Sequence, residues 1–166
     1  MKALSLWQPH ASAIALGLKP YETRGWDTTY RGPLAIHASK KTFREKDYEW
    51  CWFQETRKRL SLAGMPLWRL PYGKIVCIVE VVDCVPTAKI RELARAAMEP
   101  GGTVTKPKLP PPDWYYWGDF SAYGEDGRPR FAFQLENVRK IPEQQQPVVV
   151  GRQGFFDVDN DIGLWG

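Results

Sequence analysis

Side chains that could do chemistry together are concentrated in residues 17–26. Lys19, Glu22 and Arg24 lie within six positions of one another, and Trp26 follows two residues later. In an extended chain alternate residues share a face, so Glu22, Arg24 and Trp26 are predicted to lie on one side. A guanidinium, a carboxylate and an aromatic ring are the groups that contact phosphate or sugar, base edge and base face in nucleoside recognition. The alternative is a salt-bridge ladder on the surface of an edge strand.

The net charge of +4 is concentrated in the N-terminal quarter of the chain. Residues 1–44 carry seven Lys or Arg and two acidic side chains, whereas the rest of the chain carries 16 basic and 17 acidic ones. A focused positive field favours an anionic or phosphate-bearing partner. The alternative is a solvated face with an accidental asymmetry. The residues expected to contact phosphate or nucleic acid are Arg31, Lys40 and Lys41, with Arg44 beside them.

Length and composition exclude several classes of protein. The 166 residues are 43% hydrophobic and include eight Trp, seven Tyr and seven Phe, enough apolar material for one folded domain. No apolar run approaches the roughly 18–20 residues of a membrane span, and no secretory signal is recognised, so we expect a cytoplasmic location. Cys51, Cys77 and Cys84 lack metal-ligand spacing and are predicted to be reduced. We expect no metal and no cofactor.

The elements that must position these residues are a short helix and several strands. A helix is predicted over Gln8–Leu16, with Pro9 at its first position and Gly17 as a left-handed cap. Further helices are predicted over 42–63, opened by a capping box at Thr42–Glu45, and from Thr87 to about Met98. Strands are predicted around 21–26, 34–39, 74–85 and 130–141, with a closing strand and turn over 148–156.

The order of these elements predicts the fold class. Long β-rich stretches without regular βα alternation argue against a Rossmann sheet and favour a small mixed β-barrel of the α+β class. Residues 100–112 are rich in Pro and Gly and are predicted to be a mobile loop, from which Trp114–Trp117 returns to the core. Residues 157–166 are predicted to be an acidic, loosely held tail.

A longer series of motifs surrounds the charged segment. It comprises Leu6-Trp7-Gln8-Pro9, Gly17-x-Lys19-x-x-Glu22-x-Arg24-x-Trp26, Tyr30-Arg31-Gly32-Pro33-Leu34-x-Ile36-His37-Ala38-x-Lys40-Lys41, Leu135–Arg139 and Gly151–Phe155. This series resembles the ASCH domain family of the PUA-like superfamily, including its larger bacterial and phage members. The resemblance implies one domain over residues 1–156, a small PUA-like barrel with a short N-terminal helix, and insertions at 42–63 and 86–117. It also implies that the Lys-x-x-Glu-x-Arg segment lines a cleft.

The resemblance also implies a class of activity. Family members are linked to RNA or DNA binding, and some small bacterial members are similar to amidohydrolases that remove the acyl group from N(4)-acylcytidine. In those enzymes a Lys is followed three positions later by Thr, and a distant Glu completes the site. This chain keeps the lysine as Lys19 but has Glu22 at the Thr position, so a hydroxyl nucleophile is not carried over. Glu80 and Glu136 are the strand-borne candidates for the distant Glu.

The leading hypothesis is hydrolysis of an N(4)-acylated cytidine-type nucleoside or nucleobase. Glu22 would activate a water, Lys19 would polarise the acyl carbonyl or shuttle the proton, and the hydroxyls of Tyr21 and Thr23 are candidate donors. Because Lys and Glu favour each other's charged form, Lys19 is expected to be a cation more than a base. The residues predicted to bind substrate are Trp7, Gln8, Arg24, Trp26, His37 and Ser39.

Two other functions remain open at this point. The first is a non-catalytic RNA- or DNA-binding module that grips phosphates with its basic residues. The second is a ribonuclease with His37 as base and Lys40 as the phosphate-stabilising cation. Structural roles are the alternatives for several residues: Trp7 and Trp26 would seal the barrel end, Gln8 would replace an N-cap, and His37 would be a hydrogen-bonded core group. The sequence does not predict the oligomeric state.

Overall fold

The structure is a computed structural model that describes residues 1–98, of which 93–98 by backbone alone, and residues 116–159. The described helices and strands are β1 (Lys2–Leu6), α1 (His10–Ala15), β2 (Tyr21–Arg24), β3 (Gly32–Ala38), α2 (Trp50–Leu62), β4 (Lys74–Pro86), α3 (Thr87–Met98), β5 (Phe131–Lys140) and β6 (Phe155–Asp157). The predictions of long strands at β4 and β5 and of a helix from Thr87 are confirmed. The predicted loop over 100–112 lies outside the described residues.

The described strands form a six-stranded mixed sheet. Hydrogen-bonded neighbours follow the order β2, β5, β4, β3, β1, β6. Strand β1 runs parallel to β3, ending with Leu6 opposite Ala38, whereas β6 is antiparallel to β1 and β2 is antiparallel to β5. A mixed sheet with separate helices is the α+β class predicted from the sequence.

The chain groups into two compact units. The first contains Met1–Gly17, Pro33–Glu80 and the described residues from Asn137 onward, and the second contains Leu18–Gly32 and the described residues between Val81 and Glu136. Strands β4 and β5 therefore contribute residues to both units. The sequence predicts a single domain over 1–156 and marks no boundary, because each unit is assembled from segments that are far apart in the chain.

The first unit has an apolar core that includes residues of strand β1. Strand β1 is not among the strands that the sequence predicts. The buried members of the core are Ala3, Ala35, Ile75, Ile141, Phe156 and Val158. The N-terminal ammonium donates to the Val158 carbonyl at 2.9 Å, and Lys2 pairs with Asp157 at 2.9 Å. The predicted start of the acidic tail at residue 157 is therefore wrong, because Asp157 lies in β6 and Val158 lies in the core.

The helix predicted over 42–63 begins later than expected. The proposed capping box at Thr42–Glu45 does not form, and α2 starts at Trp50 after a 3₁₀ turn at Glu45–Asp47. The reason is tertiary: the buried Phe43 ring packs against the rings of its neighbours, and its N–H donates to the Tyr72 hydroxyl at 3.2 Å. These contacts compete successfully with a local helix start.

Two further predictions are adjusted by the structure. Helix α1 is shorter than Gln8–Leu16, with Pro9 at its N-cap, while Gly17 has φ +73 as expected for a left-handed cap. The closing strand predicted from Val148 is reduced to a single bridge between Val148 and Lys74, and the strand itself is β6.

The second unit has its own small core. The buried side chains are Tyr21, Ile90, Phe120 and Ala132, with Val85 packed against them. Trp117 is almost fully buried, so the predicted return of the chain to the core is confirmed at that residue. Within residues 1–98 and 116–159, no helix combines the length and apolarity that a bilayer crossing requires.

Candidate functional site

A cluster of three charged side chains lies in the second unit. The Glu22 carboxylate is held by two cations: its Oε2 is 3.3 Å from Lys19 Nζ, and its Oε1 is 3.0 Å from Arg24 Nε. Lys19 Nζ also donates to the Trp117 carbonyl at 2.5 Å. The Lys19 and Glu22 side chains are 3% and 7% exposed, whereas that of Arg24 is 27% exposed. The predicted convergence of Lys19, Glu22 and Arg24 is therefore present in the structure.

The backbone of β2 explains this arrangement. Glu22 and Arg24 are alternate residues of the strand and share a face. Lys19 lies just before the strand, and the intervening Pro20 carbonyl accepts the Leu135 N–H at 2.8 Å, which anchors the start of β2 to β5. The lysine can therefore fold back onto the carboxylate three residues later.

The Lys19 ammonium is in an unfavourable environment for its charge. Burial lowers the pKa of Lys19 below its usual value of 10.5, the charge of Glu22 opposes this effect, and Arg24 and Arg130 add to it. The pKa of Lys19 therefore moves in the direction opposite to the one that Glu22 alone would give, because desolvation outweighs the ion pair. A lysine of lowered pKa releases its proton more readily than a surface lysine does.

One donor position of Lys19 is unused within the described part of the chain. An ammonium has three N–H donors, and the Trp117 carbonyl and Glu22 take two of them. The cluster has two cations and one carboxylate, so it carries a formal excess of one positive charge. It can therefore donate to a carbonyl oxygen and stabilise negative charge that develops there.

Tyr21 and Thr23 occupy the other face of β2. The Tyr21 ring lies in the core of the unit, edge-on to Phe120 at 6.2 Å, and burial raises the pKa of Tyr21. The Thr23 hydroxyl accepts the Asp119 N–H at 3.3 Å. Their prediction as catalytic hydroxyls is not supported, since strand alternation turns both side chains away from Glu22.

Trp26 lies on the same side of β2 as the charged cluster. Its ring packs edge-on against Phe133 with centroids 5.0 Å apart. Phe133 is the direct partner of Glu22 across the β2–β5 pair, and residues opposite each other in an antiparallel pair share a face. The predicted common side of Glu22, Arg24 and Trp26 is therefore in agreement with the structure.

The predicted phosphate contact Arg31 also lies in the second unit. Its Nη2 pairs with Asp83 at 2.9 Å, and its Nη1 donates to the carbonyls of Thr28 and Tyr30. Arg31 is therefore engaged by Asp83 of β4 and by carbonyls of its own loop, which weakens its candidacy for phosphate. In the first unit, Arg44 pairs with Asp47 at 3.0 Å.

Several other predicted residues converge in the first unit. The parallel strands β1 and β3 end side by side, and the Ser39 N–H donates to the Leu6 carbonyl at 2.8 Å. Trp7 and Lys41 follow these ends, with Lys41 Nζ 3.4 Å from the centre of the Trp7 ring. The carboxyl ends of parallel strands are a common position for ligand sites.

These side chains differ in their exposure to solvent and in their hydrogen-bond partners. Trp7 is 56% exposed even with Lys41 over it, and Lys40 and Lys41 are exposed. The Ser39 hydroxyl oxygen is buried and has no hydrogen-bond partner among the described residues. Trp7, Ser39, Lys40 and Lys41 therefore form a cationic and aromatic surface, which we call the Trp7 surface.

Gln8 and His37 have structural partners instead. Gln8 is buried, donates to the Pro71 carbonyl at 2.8 Å and accepts the Ser12 N–H at 3.1 Å. It therefore serves the start of α1, and its prediction as a substrate-binding residue is not supported. Both functional groups of its amide are already used inside the first unit.

Both ring nitrogens of His37 are engaged. Nε2 faces the Val149 carbonyl at 3.1 Å and must carry the hydrogen, so Nδ1 accepts from the Ser5 hydroxyl at 2.9 Å. Burial lowers the pKa of His37, which favours this neutral form. A Cβ on Gly151 would overlap the ring and Ser5 Oγ, so glycine is required over the pair. The substrate-binding and general-base roles predicted for His37 are therefore not supported.

Neither carboxylate proposed for the distant glutamate contacts Lys19 in the described structure. Glu80 accepts from Asn137 at 2.6 Å, and Glu136 accepts from Gln134 at 3.0 Å. The residues that sequence reasoning missed are Trp117, whose carbonyl holds Lys19, and Arg130. They lie about a hundred residues from Lys19 in the chain, and no local sequence pattern indicates that they are close to it.

A metal centre is not formed by the residues that the structure describes. No three His, Cys, Asp or Glu side chains of these residues converge as metal ligands. Cys51, Cys77 and Cys84 are free thiols, as their spacing predicts. The candidate site therefore consists of ordinary side chains and backbone groups.

Comparison with known proteins identifies the family. The family model described as the ASCH domain matches residues 4–143. The crystal structure of ASCH from Zymomonas mobilis is similar at 13% identity and a TM-score of 0.52, covering 98% of this chain and 90% of that chain. Two mutants of the Zymomonas mobilis protein match at 12% and 13% identity, each with a TM-score of 0.49, covering 98% of this chain and 92% and 90% of those chains.

No curated protein sequence matches the chain. At 13% identity the structural likeness shows the fold alone, and the family rests on the model match over most of the chain. The chain belongs to the ASCH domain family.

Proposed function

We propose that this protein is a hydrolase that removes the acyl group from N(4)-acylated cytidine-type nucleosides or nucleobases. The observation that carries the proposal is the buried pair of Lys19 and Glu22, in which the lysine has a lowered pKa and one donor that no described residue uses. Amide hydrolysis requires a base for water, a donor for the oxyanion and a proton for the leaving amine. This cluster contains groups of all three kinds.

The first step is the attack of water on the acyl carbon. Glu22 accepts a proton from the water as the oxygen forms its bond to carbon, since a carboxylate with two partners still has free lone pairs. Lys19 donates its remaining N–H to the carbonyl oxygen, on which negative charge develops. The excess positive charge of the cluster favours this tetrahedral intermediate.

The second step is the release of the amine. The bond between the acyl carbon and the N4 nitrogen breaks, and the leaving nitrogen takes a proton from Lys19 or from the protonated Glu22. The products are a carboxylic acid and cytidine or cytosine. Arg24 is partly exposed and would contact the ribose or a phosphate, and Trp26 would contact the base.

The direct test is to incubate the purified protein with N(4)-acetylcytidine and to follow cytidine release by liquid chromatography. We expect release by the wild-type protein and a loss of at least about a hundredfold in Lys19→Met and Glu22→Gln, in line with the contribution of an acid–base group. Lys41→Ala, in the Trp7 surface of the first unit, is the matched control and should retain activity. Full activity in Lys19→Met would exclude this scheme.

A second candidate function is non-catalytic RNA or DNA binding. The contact of Lys41 with the exposed Trp7 ring favours it, because an aromatic platform beside cations binds bases and phosphates together. Affinity for a short RNA should then fall with salt, and Lys40→Glu should weaken it, whereas free nucleoside should compete poorly. Ribonuclease action through His37 has no support, because both ring nitrogens are occupied.

A further inference from the structure

A second surface of the first unit has the chemistry of a binding site. An open groove of about 760 Å³ runs along the solvent face of α2, opposite the face that buries Phe53 and Leu60. Its helix residues recur at intervals of three and four, and the segment Pro66–Trp68 forms the other wall. None of the residues that line it belongs to the Lys19 cluster or to the Trp7 surface.

Two indole rings stand in this groove with most of their surface in solvent. Trp50 is 67% exposed and Trp68 is 83% exposed, and the neighbouring Leu62 is 80% exposed. An apolar cluster of this kind on a folded protein is typical of an interaction surface. Indole faces are also good platforms for stacking planar groups.

The charges in the groove favour an anionic ligand. Arg57 and Lys58 line it and form no ion pair among the described residues. The lining carboxylate of Glu55 is already paired with Arg59 at 2.8 Å. The groove therefore presents two available cations together with exposed aromatic rings.

We infer that this groove binds single-stranded nucleic acid. Bases would stack on Trp50 and Trp68, and phosphates would contact Arg57 and Lys58, because a single strand offers planar faces and a regular anionic backbone together. An acidic peptide without aromatic side chains would use the cations but would leave the exposed indole faces without planar partners. The inference does not depend on the proposed hydrolase, since it uses different residues and no reaction.

The test is fluorescence anisotropy with a fluorescein-labelled 12-nucleotide oligouridine over a series of KCl concentrations. Trp50→Ala and Trp68→Ala should each weaken binding at least about fivefold, as expected for a lost base stack. Arg57→Ala combined with Lys58→Ala should reduce the slope of log affinity against log salt by about 1.4. The matched controls in the second unit, Tyr123→Ala and Lys89→Ala, replace an exposed aromatic and an exposed cation and should change neither quantity.

A second readout locates the bound strand. Cys51 lines the groove and is exposed, so its alkylation by iodoacetamide should slow when the oligonucleotide is added. The half-buried Cys84 in the second unit serves as the reference and should react at an unchanged rate. Binding at the Trp7 surface alone would leave Cys51 unprotected and would overturn the inference.

Other results would also overturn it. One is the absence of oligouridine binding by the wild-type protein, and another is binding by the tryptophan variants that equals that of wild type. A third is sedimentation that shows a dimer held together by the groove residues. Binding of the groove to anionic lipid vesicles but not to oligouridine would likewise assign it to a different partner. Cytidine release from N(4)-acetylcytidine is measured separately, so failure here does not bear on the hydrolase.

Discussion

The Lys19 amine and the Glu22 carboxylate form an ion pair of 3.3 Å in which both side chains are less than a tenth exposed. Arg24 holds the second carboxylate oxygen from a more exposed position. A buried pair of this kind contributes little net stability, because desolvation of the two charges offsets their attraction. Stability alone therefore does not explain why these two charges are buried together.

Removing one charge from this pair should be destabilising. Glu22→Gln leaves Lys19 buried without its carboxylate, and we expect the free energy of unfolding to fall by about 3 kcal/mol, as for other broken buried pairs. Urea denaturation measures this change. Glu143→Gln, which breaks a half-exposed pair with Arg69, is the control and should cost less than about 1 kcal/mol. Equal losses in the two variants would contradict the burial argument.

The stability of the protein should depend on pH through Lys19. Because burial lowers the pKa of Lys19, the unfolded chain binds this proton at pH values where the folded chain does not. The free energy of unfolding should therefore rise as pH increases toward 10.5, the ordinary lysine value. Lys19→Met should remove that rise, and denaturation curves between pH 7 and 10 compare the two proteins. Parallel pH profiles would argue against a depressed pKa.

The local part of the site can be predicted from the sequence. Alternation in an extended chain predicts the common side of Glu22, Arg24 and Trp26, although β2 itself ends at Arg24, and Gly17 as a left-handed cap is a local property of the chain. The proximity of the three charged side chains can therefore be predicted from their spacing in the sequence. The α+β class follows similarly from the long strands β4 and β5.

The remaining features depend on contacts between distant residues. The Trp117 carbonyl accepts a hydrogen bond from Lys19 although the two residues are 98 positions apart in the chain. Gln8 and His37 acquire structural roles from Pro71 and Val149, which no local pattern indicates. The predicted start of α2 is wrong because of such contacts as well, since aromatic packing around Phe43 outweighs the local capping signal.

His37 should affect stability and leave catalysis unchanged. Burial lowers its pKa below 6.5, so the unfolded chain binds the proton first as pH falls, and stability should decrease below about pH 6.5. His37→Gln should flatten this acid-side loss, as measured by urea denaturation from pH 5 to 7. Its cytidine release at neutral pH should stay within about twofold of wild type. A large fall in activity without loss of stability would give His37 a catalytic role.

Gly151 should tolerate no side chain. A Cβ at this position would overlap His37 and Ser5, so Gly151→Ala should destabilise the protein by about 1–3 kcal/mol through overpacking. Thermal unfolding followed by circular dichroism measures the change. Gly25→Ala is the control, because its Cβ would meet nothing within 4 Å and should change stability by less than about 0.5 kcal/mol. A neutral Gly151→Ala would show that the histidine can move aside.

Cytidine release from N(4)-acetylcytidine by wild type, Lys19→Met, Glu22→Gln and Lys41→Ala is the decisive measurement for the proposal that the buried Lys19 and Glu22 pair hydrolyses an acylated cytosine amide. We expect release by wild type and Lys41→Ala and a loss of at least about a hundredfold in the other two. No release by wild type, or undiminished release by a folded Lys19→Met protein, would contradict it.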